Sequence, residues 1–300
     1  MLQFQPPGFA QKSFQSSHGK LVYYTPNSKP WKVENVSNSH PLPTLIFLHS
    51  FGGGASAYEW SKVYSAFANT HRVIAPDLIG WGYSEHPSHN YQIDDYLLVI
   101  EELIKHINSE IVTVVASSLT AGFCVRLAIQ KPELFHSLYL TCPSGFSDFA
   151  EGAQRRIPLE IINIPLLDKL IYTVGATSDF AVRSFLERFL FAQPSRISNE
   201  IVAAYLESAQ QPNAEYSALA FLRGDLYFDL SLYIPKLNIP TAIAWGEKSQ
   251  FVSQSLGRRL AALNPEAVKC FDVIPDTGIL PHLEQPGVVT GLLSDWLRKF

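Results

Sequence analysis

The sequence predicts an α/β protein: a mostly parallel, doubly wound sheet with a helical segment inserted in its second half. Three observations predict it. From residue 44 onward, short apolar or β-branched runs alternate with helix-like stretches, the pattern of parallel strands joined by crossover helices. The alternation is suspended over 144–233, where the chain is helix-like throughout. At Ser118 a β-branched run turns through small residues directly into a helix-like stretch, so one side chain is held at a sharp strand-to-helix apex.

Taken in order, the chain up to about Trp31 reads as an irregular arm followed by a hairpin around Gly19, with Leu21-Val22-Tyr23-Tyr24 as a strand. Pro41 and Pro43 punctuate the end of this region. Thr44-Leu45-Ile46-Phe47-Leu48 is a continuous apolar run, as expected of a strand covered on both faces. His49-Ser50-Phe51-Gly52-Gly53-Gly54 follows at once, and glycines there let backbone N–H groups approach a ligand closely. A helix is predicted over 55–69, then a strand from Arg72 into Asp77-Leu78-Ile79-Gly80-Trp81-Gly82-Tyr83-Ser84, and a helix over 93–107. Ile111-Val112-Thr113-Val114-Val115 is the strand before the apex, and the run from Phe123 to Ile129 is the helix after it. Ser137 to Thr141 is the next strand, closed by Cys142-Pro143. The inserted segment carries helical stretches at 161–172, 180–191, 198–209 and 214–222. The sheet resumes at Thr241 to Trp245 and Val268 to Val273, and a last helix covers 285–297. The expected organisation is therefore a core of 1–143 and 236–300 with a cap at 144–235.

Composition narrows the function. A chain of 300 residues with 47% hydrophobic content supports one large core or a core with a smaller cap. The net charge of −4 carries no basic or acidic block, which argues against nucleic acid as a partner. Three scattered cysteines, Cys124, Cys142 and Cys270, suggest neither a disulfide framework nor a zinc site. Cys124 and Cys142 lie in apolar runs and read as buried thiols. No signal peptide or membrane span is seen, and no cofactor or metal is implied, so a cytoplasmic location is expected. The strongly apolar stretch from Ile157 to Leu167, beside Arg155 and Arg156, reads as cap core and pocket wall, or alternatively as a patch resting on a membrane.

These motifs resemble the α/β-hydrolase fold family, in the form that carries a helical cap. The apex at Ser118 is similar to that family's nucleophile elbow, G-x-S-x-G, with Ala116 and Thr120 at the small positions. His49 to Gly54 resembles its His-Gly oxyanion loop, with Ser50 where glycine is usual, and Asp-Leu-x-Gly-x-Gly-x-Ser at 77–84 is the most specific match. The resemblance implies Ser118 as nucleophile, the N–H groups of Phe51 and Leu119 as the oxyanion hole, and a structural role for Asp77.

The same resemblance places the acid in Trp-Gly-x-x-Asp and the base in Gly-His-x-Pro-His-x-Glu-x-Pro. This chain reads Trp245-Gly246-Glu247-Lys248-Ser249 and Gly278-Ile279-Leu280-Pro281-His282-Leu283-Glu284-Gln285-Pro286. Ser249 therefore stands at the acid position and Ile279 at the base position, and an isoleucine accepts no proton. His282 is the candidate for a displaced base, and Glu247, Asp276 or Asp148 for an acid, although each acid reads more simply as a surface or turn residue. His49 reads as hydrogen-bonded within its loop, His86 and His89 as solvent-exposed, and His18, His40, His71, His106 and His136 as ordinary. Ser117 and Thr120 supply hydroxyls that activate nothing, and Ser118 itself can be read as a small polar residue at a strained turn. Three functions follow. The first is a degenerate family member binding a small lipophilic or ester-like molecule between core and cap, with weak or no hydrolysis. The second is an active serine esterase or lipase-like hydrolase using His282. The third is a non-catalytic protein docking a partner or a membrane through the cap.

Overall fold

The computed structural model describes residues 2–31, 42–107, 111–150 and 178–300. The expectations at Pro41, His40, Arg155, Arg156, the apolar stretch 157–167 and the helix at 161–172 lie outside the described residues.

The predicted hairpin is β1 (Phe9–Ser16) and β2 (Gly19–Pro26), paired antiparallel from Ser16 opposite Gly19. The remaining strands are β3 (Thr44–Leu48), β4 (Arg72–Asp77), β5 (Val112–Ser117), β6 (Phe135–Thr141), β7 (Thr241–Gly246) and β8 (Val268–Ile274). They form one sheet in the order β1-β2-β4-β3-β5-β6-β7-β8. The β2–β4 pair is antiparallel, and every pair from β4 to β8 is parallel.

Residue alternation explains the two cores. On β5, Val112, Val114 and Ala116 pack to one side and Val115 to the other. The first side is covered by α2 (Ile93–His106) and α3 (Ser118–Gln130), with α7 (Gln254–Ala262) contributing Leu260. The second is covered by α1 (Ser61–Tyr64) and α9 (Pro286–Lys299), through Val63, Tyr64, Val289, Leu293 and Trp296. A strand buried on both faces needs no polar alternation, which is why these strands read as continuous apolar runs. Between β6 and β7 the chain forms α4 (Asp179–Phe185), α5 (Asn199–Ala209) and α6 (Ala214–Arg223). A one-turn helix, α8 (Pro281–Glu284), leads into α9.

Two predicted helices differ from expectation. The 55–69 stretch is broken into a 3₁₀ turn at Ala57–Trp60, the short α1, and a second 3₁₀ turn at Ser65–Phe67. Tertiary bonds set this geometry: Ala57 N donates to Asp77 Oδ1 at 2.8 Å and Trp60 Nε1 to the Leu48 carbonyl at 2.9 Å. The 180–191 stretch ends in a π turn at Leu186–Leu190, whose wider winding is closed by Phe191 N donating to the Leu186 carbonyl at 2.9 Å. Cys124 and Cys142 are buried and free, as expected, and Cys270 is half-buried. Among the described residues no helix is long and apolar enough to cross a membrane.

Candidate active site

Parallel strands deliver their following loops to one edge of the sheet, where ligand sites of α/β folds form. Register fixes which loops meet. Leu48 lies opposite Ala116, Ser117 opposite Thr141, Thr141 opposite Ala244, and Gly246 opposite Ile274. The loop after β3, the apex after β5 and the loops after β7 and β8 therefore leave the sheet side by side.

Ser118 stands at the apex with φ +56°, directly after extended Ser117. A left-handed serine between strand and helix is strained and is characteristic of functional turns. Its side chain is almost fully buried, and its Oγ makes no hydrogen bond with any described residue. Leu119, next in α3, has a first-turn amide without an intrahelical acceptor. The Phe51 amide is likewise not taken up by any described acceptor. Thr120, where the resemblance expects glycine, donates from Oγ1 to the His49 carbonyl at 2.7 Å. The loose elbow match is thus absorbed by a bond that ties the elbow to the loop carrying Phe51.

Ser118 opens onto a narrow cavity shared with Ser50, Phe51, Ile279 and Leu280, and walled further by Phe146, Phe185, Leu190, Phe221 and Phe251. The sequence-placed base position, Ile279, is therefore on the same wall system as the elbow serine. The frame around it is closely fitted. A Cβ added at Gly246 would lie 1.7 Å from the Gly278 carbonyl oxygen, and one at Gly278 would lie 2.3 Å from that of Leu190. Lys248 N donates to the Thr277 carbonyl at 2.8 Å, so the two loops of the expected relay run backbone against backbone. Glu284 fastens the second of them: it accepts from Gly278 N, from Ala192 N at 3.1 Å and from Gln193 N at 3.2 Å, and pairs with Arg196 at 3.1 Å. Ser249 Oγ is buried without a hydrogen-bond partner among the described residues.

His282 is fully buried and stacks on Trp60, with ring centroids 3.8 Å apart. Its Nδ1 lies 3.5 Å from Thr141 Oγ1 and its Nε2 3.7 Å from Glu59 Oε2. It is not among the residues lining the Ser118 cavity. Burial holds its pKa below the ordinary imidazole value, against the pull of Glu59.

Glu59 is the residue the sequence reading missed. Its only signal is a lone acid in the apolar stretch Tyr58-Glu59-Trp60. It is fully buried and accepts from Ser50 N at 2.7 Å, Ser50 Oγ at 2.8 Å and Tyr205 OH at 2.7 Å. Burial alone would raise its pKa, but His282, His49 and the Ser50 amide outweigh burial and hold the carboxyl below its usual range. Ser50, which replaces the expected glycine, thus has a specific partner behind the oxyanion loop.

The other candidates fall elsewhere. Asp148 is buried, bonded to Ser144 Oγ at 2.6 Å, Gly145 N at 3.0 Å and Leu230 N at 2.8 Å, and burial raises its pKa; it is a turn residue, and not a surface one. Glu247 receives Asp276 N at 3.0 Å, and Asp276 pairs with Arg196 at 3.0 Å, which leaves both in surface turns. Asp77 is buried and fixes its loop through Ala57 N, Tyr83 N at 2.9 Å and Tyr24 OH at 3.0 Å. His49 accepts Leu78 N at Nε2 (2.9 Å), which leaves Nδ1 to donate to the Ser50 carbonyl at 2.7 Å. His86 corrects the sequence reading: it is buried, with Nε2 against the Gly82 carbonyl at 3.0 Å, because α6 closes over its loop through Asn213. His89 is half-exposed.

Comparison with known proteins places the fold. A family model described as alpha/beta hydrolase fold matches residues 43–286. An uncharacterized hydrolase of Bacillus subtilis, YugF, is 26% identical over 259 residues, covering 85% of this chain and 90% of that protein. Lipase 3 of Moraxella sp. is 24% identical over 277 residues, covering 91% and 80%. Among solved structures, a serine hydrolase involved in carbazole degradation superposes with TM-score 0.75 at 16% identity, covering 97% of this chain and 100% of that one.

Proposed function

Because the chain belongs to the α/β-hydrolase fold family, we propose that it is a disarmed member of it, binding a small lipophilic or ester-like molecule between core and cap with weak or no hydrolysis. The observation that carries this reading is Ile279 on the wall of the Ser118 cavity. A serine hydroxyl attacks a carbonyl only as its proton leaves, so it needs an acceptor within hydrogen-bond reach. Hydrocarbon at that place removes the acceptor and the later proton donor to the leaving group. Loss of the base costs on the order of 10⁶ in rate, while an oxyanion hole and binding alone retain roughly 10³–10⁴ over water. The cavity wall is apolar, with Phe51, Phe146, Phe221 and Leu280 among its residues, and matches a lipophilic ligand in chemistry; with room for about 10 Å³ it must widen to admit one. The Ser118 and Ser50 hydroxyls offer a polar end.

A second reading has one observation in its favour. His282 Nε2 is buried without a hydrogen-bond partner among the described residues and lies 3.7 Å from the Glu59 carboxylate. A side-chain shift that turned this imidazole toward Ser118 would supply a base with its acid.

A fluorophosphonate probe and p-nitrophenyl esters of graded chain length separate the two. Under the leading reading, wild type labels slowly and hydrolyses poorly, His282→Ala changes neither, and Ile279→His with Ser249→Asp raises turnover by at least tenfold. Rapid labelling that is lost in both Ser118→Ala and His282→Ala would establish the active hydrolase instead.

A further inference from the structure

We propose that His18, His89 and Asp95 form a binding site for a divalent transition-metal ion, zinc foremost, that clamps the β1–β2 hairpin to the start of α2. The three residues come from separate segments. His18 is in the hairpin turn between Ser16 and Gly19, His89 is in the loop after β4, and Asp95 is in the first turn of α2. The fold brings one ligand atom of each within 4.8 Å of the others. His18 Nε2 lies 3.3 Å from Asp95 Oδ1, and His89 Nε2 lies 2.8 Å from Asp95 Oδ2.

Tetrahedral zinc with bonds of about 2.0–2.1 Å sets ligand–ligand edges of about 3.3–3.4 Å. The His18–Asp95 spacing is already at that edge, the His89 spacing, made to the other carboxylate oxygen, needs to open by about 0.5 Å, and the two imidazoles need to close by no more than about 1.5 Å, all within side-chain rotation. Their rings stand 5.4 Å apart and tilted by 43°, unstacked, so neither blocks the other from turning. Two imidazoles with one carboxylate favour zinc over calcium or magnesium, which take all-oxygen sets. The side chains are 22%, 40% and 19% exposed, enough for an ion to enter and for water to fill a fourth position.

The backbone under the site is held independently of any ion. Lys20 N donates to Glu85 Oε2 and Glu85 N to the Lys20 carbonyl, both at 2.8 Å. Ser17 N donates to Glu102 Oε2 at 2.9 Å. Gln92 N donates at 2.8 Å to Asp95 Oδ2, the oxygen that also faces His89, and so fixes the carboxylate orientation. The amino end of α2 opposes a cation through its dipole, and the acidic first turn, Asp94 and Asp95, offsets that. Asp94 also lies 3.7 Å from Arg126, on the side of α3. The loop that carries His89 also touches the inserted helices, through Gly82 N to Ser208 Oγ at 2.9 Å and Asn213 Nδ2 to the His86 carbonyl at 3.1 Å. An ion here would therefore stiffen the connection between sheet and insertion. The site is separate from the Ser118 cavity and does not depend on the hydrolase reading.

The test is zinc titration of the full, untagged chain after chelator treatment, by calorimetry and by thermal unfolding, with cobalt as a visible-absorption probe. One zinc per chain is expected, with a rise in Tm of about 5 °C at a hundredfold excess over Kd. His18→Ala and His89→Ala should each abolish the shift and the cobalt spectrum, while His71→Ala and His136→Ala keep both. Asp95 also caps α2, so the histidine variants are decisive. Absence of a zinc-dependent shift in wild type, or a shift that survives in the His18→Ala/His89→Ala double variant, overturns the proposal and leaves a plain histidine–aspartate ion pair.

Discussion

A buried carboxylate stays ionised only where donors replace the water it has lost. Glu59 meets that condition with the Ser50 amide, the Ser50 hydroxyl and the Tyr205 hydroxyl, while the neighbouring His282 and His49, with the Ser50 amide, hold its pKa below the ordinary value against burial. The substitution that looks mildest, Glu59→Gln, keeps the shape but turns one acceptor into a donor facing donors. It should lower unfolding stability by about 2–3 kcal/mol in urea. Tyr205→Phe removes one donor and leaves two, and should cost about 1 kcal/mol. If Glu59→Gln unfolds at the wild-type urea concentration, the carboxylate is not held as described. The same residue explains why Ser50 is present in place of the expected glycine: its hydroxyl completes the shell of an acid that no local motif announces.

At the scale of elements, a tight constraint is the backbone contact between the loop after β8 and the π turn at 186–190, where Ile279 N donates to the Leu190 carbonyl at 3.2 Å. Gly278→Ala puts a methyl group 2.3 Å from the Leu190 carbonyl oxygen and 3.1 Å from Ala192 N. Backbone cannot rotate aside, so overpacking should cost about 1–3 kcal/mol, read as a lowered urea midpoint. A neutral result would mean that the π turn at 186–190 yields. Most elements were legible because their signals are local. The continuous runs at 44–48 and 241–245, the hairpin at Gly19 and the apex at Ser118 each depend on a few consecutive residues. The stretch 55–69 was not legible as broken turns, because its geometry is set by Asp77 and by the Leu48 carbonyl. The Glu59–His282 pair and the His18–His89–Asp95 cluster were invisible for the same reason: only sheet order and helix packing bring such distant positions together. The assignment of Ile279 and Ser249 to the base and acid positions rests on the resemblance of the flanking Trp-Gly and Gly-x-x-Pro-His-x-Glu-x-Pro stretches.

For the whole molecule, the buried imidazoles set how stability responds to acid. Burial lowers the pKa of His282 and His86, and of His71 to the same sense, below the ordinary 6.5. In the unfolded chain each takes up a proton near pH 6.5, while the folded chain resists it. Between 6.5 and the lowered folded value the unfolded state therefore binds more protons, so stability rises with pH across that window and is lost as pH falls through it. Glu59, also lowered, has the same sign but acts only below its ordinary 4.5. Asp77 and Asp148 are raised by burial and act oppositely, since the folded state takes up their protons first. Comparison of wild type with one variant isolates the imidazole that lies against Glu59. The wild-type urea midpoint should fall from pH 7.5 to pH 5.5, and His282→Gln, which cannot titrate, should show a smaller fall over the same range. Equal falls in the two proteins would show that His282 takes up its proton in the folded state as readily as in the unfolded one.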